Sequence, residues 1–306
     1  MKAADSPRVS VIINTFNSVR LLGPTLDSLF GQTFTDWELI IWDNQSDDGT
    51  VALVRSRPDP RVRLFEAPRR MTLAEGRNGA LAQARGEWLA FLDHDDLWLP
   101  HKLQAQLDLA DTSPAGEELG LIYARTRSFS ARGDEGEMIY RYAGRPLPEG
   151  RILRVLLEQG CIIPLVSAMV HRRAWERVGP IPGHYRFAED YWLFAAVAEH
   201  FEVRCVQADC CLYRVHSGSA TATSKELSHL EALEVLECWR EHIPPRTYRR
   251  RRRVYHTLLA VELLLKRRRF GAGFAKLLAQ GSVFFFFRGC CAHLIRTCIV
   301  GRRPVS

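Results

Sequence analysis

The chain has 306 residues, enough for one large α/β domain with an appendage. Its hydrophobic (46%) and charged (25%) fractions are ordinary for a globular protein. The eight cysteines form no CxxC pair and no cysteine–histidine spacing typical of zinc, so reduced thiols in a cytosolic protein are expected.

The formal charge of +7 is divided unevenly along the chain. Residues 220–306 hold 17 Lys and Arg against 6 Asp and Glu, a net of +11, whereas the remainder holds 25 against 29, a net of −4. A basic segment of this kind is attracted to an anionic surface, either lipid or nucleic acid. We therefore expect two domains, 1–219 and 220–306, with separate tasks. The first ten residues lack the apolar core of a signal peptide, so none is expected.

Strands and helices are predicted to alternate through the first hundred residues. Thr72 and Glu75 form a capping box at the start of one helix, and Pro100 suits the first position of another. This alternation predicts an α/β fold with a doubly wound, mostly parallel, Rossmann-like sheet. The apolar patterns place strands at 9–13, 37–42, 62–65 and 88–92, and helices at 22–30, from 50, at 72–84 and from 100.

Acidic residues collect where two of these strands end. Asp43 closes the second strand, and Asp93, Asp95 and Asp96 follow the fourth. The carboxyl ends of strands line the ligand crevice of an open α/β sheet. Carboxylates this close repel one another, and a divalent cation is the simplest counter-charge; oxygen ligands favour Mg²⁺ or Mn²⁺ over zinc. The alternative is a solvated acidic turn that caps the helix beginning at Pro100.

Three long stretches of this region resemble one family. VSVIINTFN, QTFTDWELIIWDNQSDDGT and GRNGALAQARGEWLAFLDHDDLWLPHKL are similar to family 2 of the inverting nucleotide-sugar glycosyltransferases, which have the GT-A fold. The resemblance covers residues 8–105 and resumes at FAEDYWLFAAV and LYRVHSGSAT. The chain departs from the family pattern at Asn14, where proline is common, and at Asn44–Gln45, where aspartate–glycine is common. Neither GxGxxG nor GxxxxGK[ST] is present, so no dinucleotide fingerprint or P-loop is expected.

The resemblance implies that residues 8–105 bind a nucleoside-diphosphate sugar. Thr15 and Asn17 lie in the first loop, which contacts the nucleotide in the family. Asp43 matches the acid that recognises the base. Arg77 belongs to the segment near the base and diphosphate, and its alternative is an arginine on a helix surface.

The resemblance also implies a metal site for Mg²⁺ or Mn²⁺. Asp93 matches the first acid of the DxD motif, on ribose or metal, and Asp95 matches the second and is the main expected metal ligand. Asp96 is expected to support these acids or to cap a helix. His216 resembles a family position near the diphosphate and metal, with a structural histidine as the alternative.

The second half of this domain, residues 106–219, is expected to bind the acceptor. Glu189 and Asp190 open a predicted helix, where acids are also favoured by the helix dipole. The resemblance assigns Asp190 as the general base that deprotonates the acceptor hydroxyl, and a neighbouring Glu189 would raise its proton affinity. Further elements are predicted as strands at 121–126, 165–170 and 212–216, a hairpin or loop at 128–138, and helices at 152–157 and 171–178.

The basic tail combines arginine runs with apolar stripes. Arg249–Arg253 precede a stripe at Val254, Leu258, Val261 and Leu265. The apolar stretch 283–300 is interrupted by charges, so it is not expected to span a membrane. The pattern favours a helix lying on an anionic leaflet, with packing on the catalytic domain as the alternative. Aromatic residues are sparse among the arginines, which argues against nucleic acid.

The sequence therefore predicts a metal-dependent inverting glycosyltransferase that uses a nucleoside-diphosphate sugar and a glycan or lipid-linked acceptor in cell-surface polysaccharide synthesis. It would be a cytoplasmic protein, peripheral at the inner face of the membrane. The rival interpretations are a nucleotidyltransferase acting on sugar phosphates and a non-catalytic membrane-associated binding protein.

Overall fold

The computed structural model describes residues 6–130, 135–138, 145–216 and 224–265, with residues 135–138, 264 and 265 described by their backbone alone. The chain divides into two compact units, residues 1–219 and 220–306, which are taken in turn.

One mixed sheet organises the first unit. Its strands run in the order β3-β2-β1-β4-β8-β6-β9-β5, and β7 pairs with β6. The strands of the described residues are β1 Val9–Thr15, β2 Trp37–Asp43, β3 Val62–Glu66, β4 Trp88–Phe91, β5 Leu97–Trp98, β6 Leu119–Ser130, β7 Glu135–Met138, β8 Met169–His171 and β9 Glu202–Val215.

The first four strands form the parallel part of this sheet. β1 lies between β2 and β4, and β3 pairs with β2, all in parallel. Since Thr15 is in register with Asp43, the two strand ends lie side by side. On the other side of β4, β8 is antiparallel to both β4 and β6, while β6 and β9 are parallel. The predicted α/β class with a largely parallel sheet is confirmed.

Helices cover the sheet, and two of them begin or end where the sequence signals indicate. The capping box of Thr72 and Glu75 is formed, and Gly31 follows the last residue of α1. In the first unit the helices are α1 Leu22–Phe30, α2 Thr50–Arg55, α3 Leu73–Gln83, α4 Lys102–Thr112, α5 Leu153–Gln159, α6 Arg172–Val178 and α7 Glu189–His200.

The core lies on both faces of the parallel strands. Val11 and Ile13 of β1 pack in one cluster with Leu22 and Leu26 of α1, and Ile12 on the opposite face is also fully buried. Burial on both faces explains why these strands are continuously apolar in sequence.

Three predictions for these elements are wrong. The strand predicted at 212–216 is the end of a longer strand, because β9 begins at Glu202. Pro100 is not the first helical residue, because Leu97–Trp98 form β5 against β9 and the Leu99 amide donates to the Cys210 carbonyl, so α4 begins only at Lys102. The predicted strand 165–170 is a 3₁₀ turn at Leu165–Ser167 followed by the short β8. The segment 128–138 contains the end of β6 and the antiparallel β7, a hairpin.

The second unit is helical over its described residues. It contains α8 Lys225–Cys238 and α9 Pro245–Leu265. In the predicted stripe of α9, Val261 is buried, but Val254 and Leu258 are 37% and 40% exposed. The apolar and basic segments after residue 265 lie outside the described residues. Among the helices that the structure describes, none is long and apolar enough to cross a membrane.

Candidate active site

Two loops at the ends of β1 and β2 form the first wall of the site. The Asn44 amide donates to the Thr15 carbonyl (2.8 Å), and Asn17 and Asp47 exchange two hydrogen bonds of 2.8 and 3.0 Å. Asn17 has a φ of 47°, a left-handed conformation that asparagine tolerates better than most residues. The side chains of Thr15, Asn17 and Asp43 are therefore held at one edge of the sheet.

Asp43 and Thr15 are both buried at this edge. The amide and hydroxyl of Ser46 donate to the two carboxylate oxygens of Asp43 at 2.8 and 2.5 Å, which fixes the orientation of the carboxylate. Among the described residues the Thr15 hydroxyl has no hydrogen-bond partner, although Thr15 is only 3% exposed. A buried hydroxyl without a partner is costly unless a ligand or water completes it.

A second contact at this wall was not predicted from the sequence. The Arg70 guanidinium lies 3.3 Å from the Phe16 ring centroid and donates to the Asn44 carbonyl at 3.0 Å. Phe16 is 37% exposed, so part of its ring is open to solvent beside this strand end. Both residues lie in loops, where no periodic signal marks them.

The acidic turn between β4 and β5 forms the floor. The buried Asp96 accepts a hydrogen bond from the Arg214 amide (2.8 Å), so it anchors the turn to β9 and does not cap a helix. Burial, Asp93 and Asp95 together raise the pKa of Asp96 well above its usual range. The Thr25 hydroxyl donates to the Asp96 carbonyl (2.9 Å), which ties the turn to α1.

Asp95 and His216 meet at the same turn. The His216 Nε2 atom lies 2.9 Å from Asp95 Oδ2, and the Arg214 Nε donates to the Asp95 carbonyl at 2.7 Å. Arg214 is therefore occupied in holding the turn, with its guanidinium 4.4 Å from the Phe129 ring centroid. Burial raises the pKa of Asp93 to about 6, opposed by Arg77 and reinforced by Asp95.

The side chains at this turn are of the types that bind divalent metal ions. Within the described part of the chain, no three His, Cys, Asp or Glu side chains are grouped closely enough to hold an ion alone. Mg²⁺ in proteins is nevertheless commonly bound by one or two carboxylates, with water and substrate phosphates as the other ligands. Asp95 and His216, whose side chains lie 2.9 Å apart, fit that incomplete protein shell, and Asp93 is close enough to Asp95 for their charges to interact.

Arg77 is the link between this floor and α7. It is only 1% exposed, so the interpretation as a surface arginine is wrong. Its Nη2 donates to Glu189 Oε1 at 3.0 Å, and Glu189 is itself 3% exposed. Since 112 residues separate the two partners, no local pattern in the sequence indicates the pair.

Asp190 has the electrostatic character expected of a base. Burial, followed by the adjacent charge of Glu189, raises the pKa of Asp190 to about 8. Asp93 also raises it, so the acid that opens α7 lies within electrostatic reach of the acidic turn. The Cys161 thiol lies within electrostatic reach of Asp190. No motif or spacing in the sequence indicated that this cysteine lies near the site.

The fold of this chain resembles that of solved structures. The fold matches residues 1–349 of TarS from S. aureus in complex with UDP-GlcNAc, with a TM-score of 0.60 and 17% identity over 85% of this chain and 74% of that one. The full TarS structure is longer, and this chain covers 44% of it. It also matches the mannosyltransferase PcManGT from Pyrobaculum calidifontis in complex with GDP-Man and Mn²⁺, with a TM-score of 0.59 and 21% identity over 95% and 81% of the two chains. These matches show that the chain has a fold of the GT-A type.

The family follows from the sequence match. The family model described as "Glycosyl transferase family 2" matches residues 10–179, more than half of the chain, and the protein belongs to that family. A relative from Escherichia coli, the UDP-Glc:alpha-D-GlcNAc-diphosphoundecaprenol beta-1,3-glucosyltransferase WfgD, is 24% identical over 73% of this chain and 83% of its own length. The predicted glycosyltransferase activity is confirmed, and the two rival interpretations of the sequence are set aside.

Proposed function

We propose that this glycosyltransferase is a metal-dependent, inverting enzyme that transfers a sugar from a nucleoside diphosphate to a hydroxyl of a glycan or lipid-linked acceptor in cell-surface polysaccharide synthesis. The observation that carries the proposal is Asp190. Its carboxyl has a pKa raised to about 8 and interacts electrostatically with the acidic turn that contains Asp93. A base and an acidic turn in one site are what a direct displacement of a diphosphate by an alcohol requires.

The donor would lie along the ends of β1, β2 and β4. The oriented carboxylate of Asp43 suits a base N–H. The Thr15 hydroxyl, which has no hydrogen-bond partner among the residues that the structure describes, suits a polar group of the nucleotide. Asn17 lines the same loop pair. The exposed ring of Phe16 under Arg70 offers a stacking surface for a planar base.

Asp93, Asp95 and His216 would hold Mg²⁺ or Mn²⁺. Such an ion supplies positive charge that stabilises a departing diphosphate. The Asp95–His216 contact of 2.9 Å already brings an oxygen and a nitrogen donor together, which supports a shared ion. Arg214 holds the Asp95 backbone in place through its hydrogen bond to the carbonyl.

Asp190 would accept the proton of the acceptor hydroxyl. Its raised pKa makes it a stronger base than an ordinary carboxylate, which suits proton removal from an alcohol. Attack by that oxygen on the face of the sugar opposite the diphosphate inverts the anomeric centre. The transition state is expected to have oxocarbenium character, as in other glycosyl chemistry.

A lipid-linked acceptor is supported by the named substrate of the E. coli relative and by the tail of this chain. On α9, Arg249 and Arg250 are exposed beside the exposed Val254 and Leu258. Basic and apolar side chains along one helix favour an anionic membrane surface. We therefore propose that residues 220–306 attach the enzyme to the inner face of the cytoplasmic membrane and bind no nucleic acid.

The donor and acceptor are tested by a panel of UDP- and GDP-sugars with Mn²⁺ or Mg²⁺ and polyprenyl-diphosphate-linked sugars. The expected result is acceptor-dependent release of a nucleoside diphosphate and a product with inverted anomeric configuration. Retained configuration, or full turnover in excess chelator, would contradict the proposal.

Membrane attachment is tested on the full chain with vesicles of phosphatidylserine or phosphatidylcholine. Arg249→Ser/Arg250→Ser should weaken binding to anionic vesicles about 30-fold, because each nearby arginine contributes roughly 1 kcal/mol. The control Arg55→Ser/Arg154→Ser removes two exposed charges from the first unit and should have no effect. Equal binding to both lipids, or equal loss in both variants, would contradict a surface role of α9.

A further inference from the structure

Helix α3 is fastened to the segment that leads into α7. Asn78 makes two of the bonds: its Nδ2 donates to the Ile181 carbonyl (2.7 Å), and its Oδ1 accepts from the Ile181 amide (3.0 Å). The Thr72 hydroxyl donates to the Gly183 carbonyl (2.5 Å), and the Ala74 amide to the Tyr185 carbonyl (3.2 Å). We call these four hydrogen bonds, together with the Arg77–Glu189 pair, the α3 clamp.

Glycines bring α3 close enough to the sheet for this clamp to form. A Cβ atom at Gly79 would come within 2.6 Å of the Trp42 ring, so only glycine allows this approach to β2. The same close packing places Arg77 in the interior, where its pairing with Glu189 replaces solvation by water.

We propose that Arg77 and Asn78 are positioning residues that hold the base-bearing start of α7 against the donor half of the site. The inference rests on the proposed role of Asp190 as the base. It replaces the contact with base and diphosphate that the family resemblance implies for Arg77.

The geometry favours positioning over nucleotide contact. Arg77 is 1% exposed and one of its terminal nitrogens is committed to Glu189, so the guanidinium presents almost no surface to a ligand. Both the nitrogen and the oxygen of the Asn78 side-chain amide form hydrogen bonds with the Ile181 backbone. Both residues are directed at the segment 181–189, and Asp190 is the next residue along the chain.

The clamp also sets the electrostatic surroundings of Asp190. The charged and titratable groups that act on this carboxyl are Glu189 on its own helix, Arg77 on α3, Asp93 at the end of β4, and the Cys161 thiol before the 3₁₀ turn. Glu189 favours the protonated form of Asp190 and Arg77 favours the ionised form. Removing the charge of Glu189 should therefore lower the pKa of Asp190, and removing the charge of Arg77 should raise it.

The test compares four full-length variants, Asn78→Ala, Arg77→Met, Glu189→Gln and the control Arg55→Met, whose exposed pair with Glu66 lies on α2 and β3. Calorimetry gives the affinity for UDP and GDP with Mn²⁺, and nucleoside diphosphate release gives kcat with the best donor of the panel. We expect kcat to fall about 10- to 100-fold in the first two variants with unchanged nucleotide affinity, because displacement of a catalytic group by 1 Å can cost about 100-fold.

The pH profile separates positioning from mere stability. The acid limb of the plot of kcat against pH should move to lower pH in Glu189→Gln and to higher pH in Arg77→Met. Asn78→Ala carries no charge change, so it should lower kcat without moving the limb, and it remains informative if Arg77→Met fails to fold. Weakened nucleotide binding at unchanged kcat in Arg77→Met, or wild-type kcat in Asn78→Ala, would overturn the inference.

The two proposals fail in different ways. If Asp190→Asn keeps wild-type turnover, the assignment of the base is wrong, and the clamp has no base to position. If Asp190→Asn loses turnover while Asn78→Ala and Arg77→Met keep it, only the positioning inference is wrong.

Discussion

The buried pair of Arg77 and Glu189 allows a stability prediction with a worked magnitude. In Arg77→Met, the carboxylate of Glu189 loses its cation at a position that is 3% exposed. Breaking a buried pair in this way costs about 3–5 kcal/mol. The carboxyl can avoid that cost by taking up a proton, which from an unfolded-state pKa near 4.3 costs about 4 kcal/mol at pH 7 and about 1 kcal/mol at pH 5. The loss of stability should therefore be about 3–4 kcal/mol at pH 7 and shrink to about 1 kcal/mol at pH 5.

The sign follows from proton linkage. In the variant, the folded state binds a proton at Glu189 more tightly than the unfolded state does, so the variant becomes less stable as the pH rises above 4.3.

Urea unfolding followed by tryptophan fluorescence at pH 5 and pH 7 measures the effect. Arg55→Met breaks a pair whose side chains are 67% and 52% exposed, and it should change the free energy of unfolding by at most about 1 kcal/mol at either pH. The double variant Arg77→Met/Glu189→Gln should recover part of the loss at pH 7. A loss below about 1 kcal/mol at pH 7, or the same loss at both pH values, would refute the reasoning.

Three further predictions concern single side chains. Asp95→Asn should abolish transfer and weaken Mn²⁺ binding in the presence of UDP, measured by calorimetry; unchanged Mn²⁺ affinity would contradict the role of Asp95. Because the pKa of Asp190 is raised to about 8, kcat/KM should rise about tenfold between pH 7 and pH 9, and a profile flat over that range would contradict its role as the base. Burial lowers the pKa of Lys102 to about 8, so the protonated lysine opposes folding at pH 7 and the wild type should gain stability between pH 8 and pH 10.5. Lys102→Met should be more stable than the wild type at pH 7, and its stability should not rise between pH 8 and pH 10.5. Equal or lower stability of the variant at pH 7 would contradict this, because the contact of Lys102 with the Trp98 ring, 3.8 Å to the centroid, would then outweigh the cost of burying the charge.

Periodicity and end signals predicted the parallel half of the fold. The strands around Ile13 and Ile41 are continuously apolar because both faces are covered, and their ends follow from the polar residues that come next. The capping box at Thr72 fixed the start of α3 through purely local hydrogen bonds. Strands and helix ends that depend on neighbouring residues could therefore be predicted from the sequence.

Elements that depend on distant partners were not predicted. The two residues of β5 carry too short a pattern to be recognised, and they are a strand only because Cys211 and Leu212 of β9 lie beside them. Lys102 is fully buried against Trp98, whereas a helix pattern alone would place a lysine in solvent.

The same limit applies to the site. Asp43, Asp93 and Asp95 could be predicted as site residues because each lies at or just after the end of a strand and fits a family motif. The connection between Arg77 and Glu189 depends on the packing of α3 beside α7, and nothing within a window of either residue indicates it.

The most direct test of the central claim is the turnover of Asp190→Asn at saturating donor, measured with the UDP affinity of the same preparation. Loss of general-base catalysis predicts a kcat lowered by about 100-fold or more, with UDP binding nearly unchanged. If nucleotide affinity collapses while turnover at saturating donor survives, Asp190 is a binding residue and the proposed mechanism is wrong.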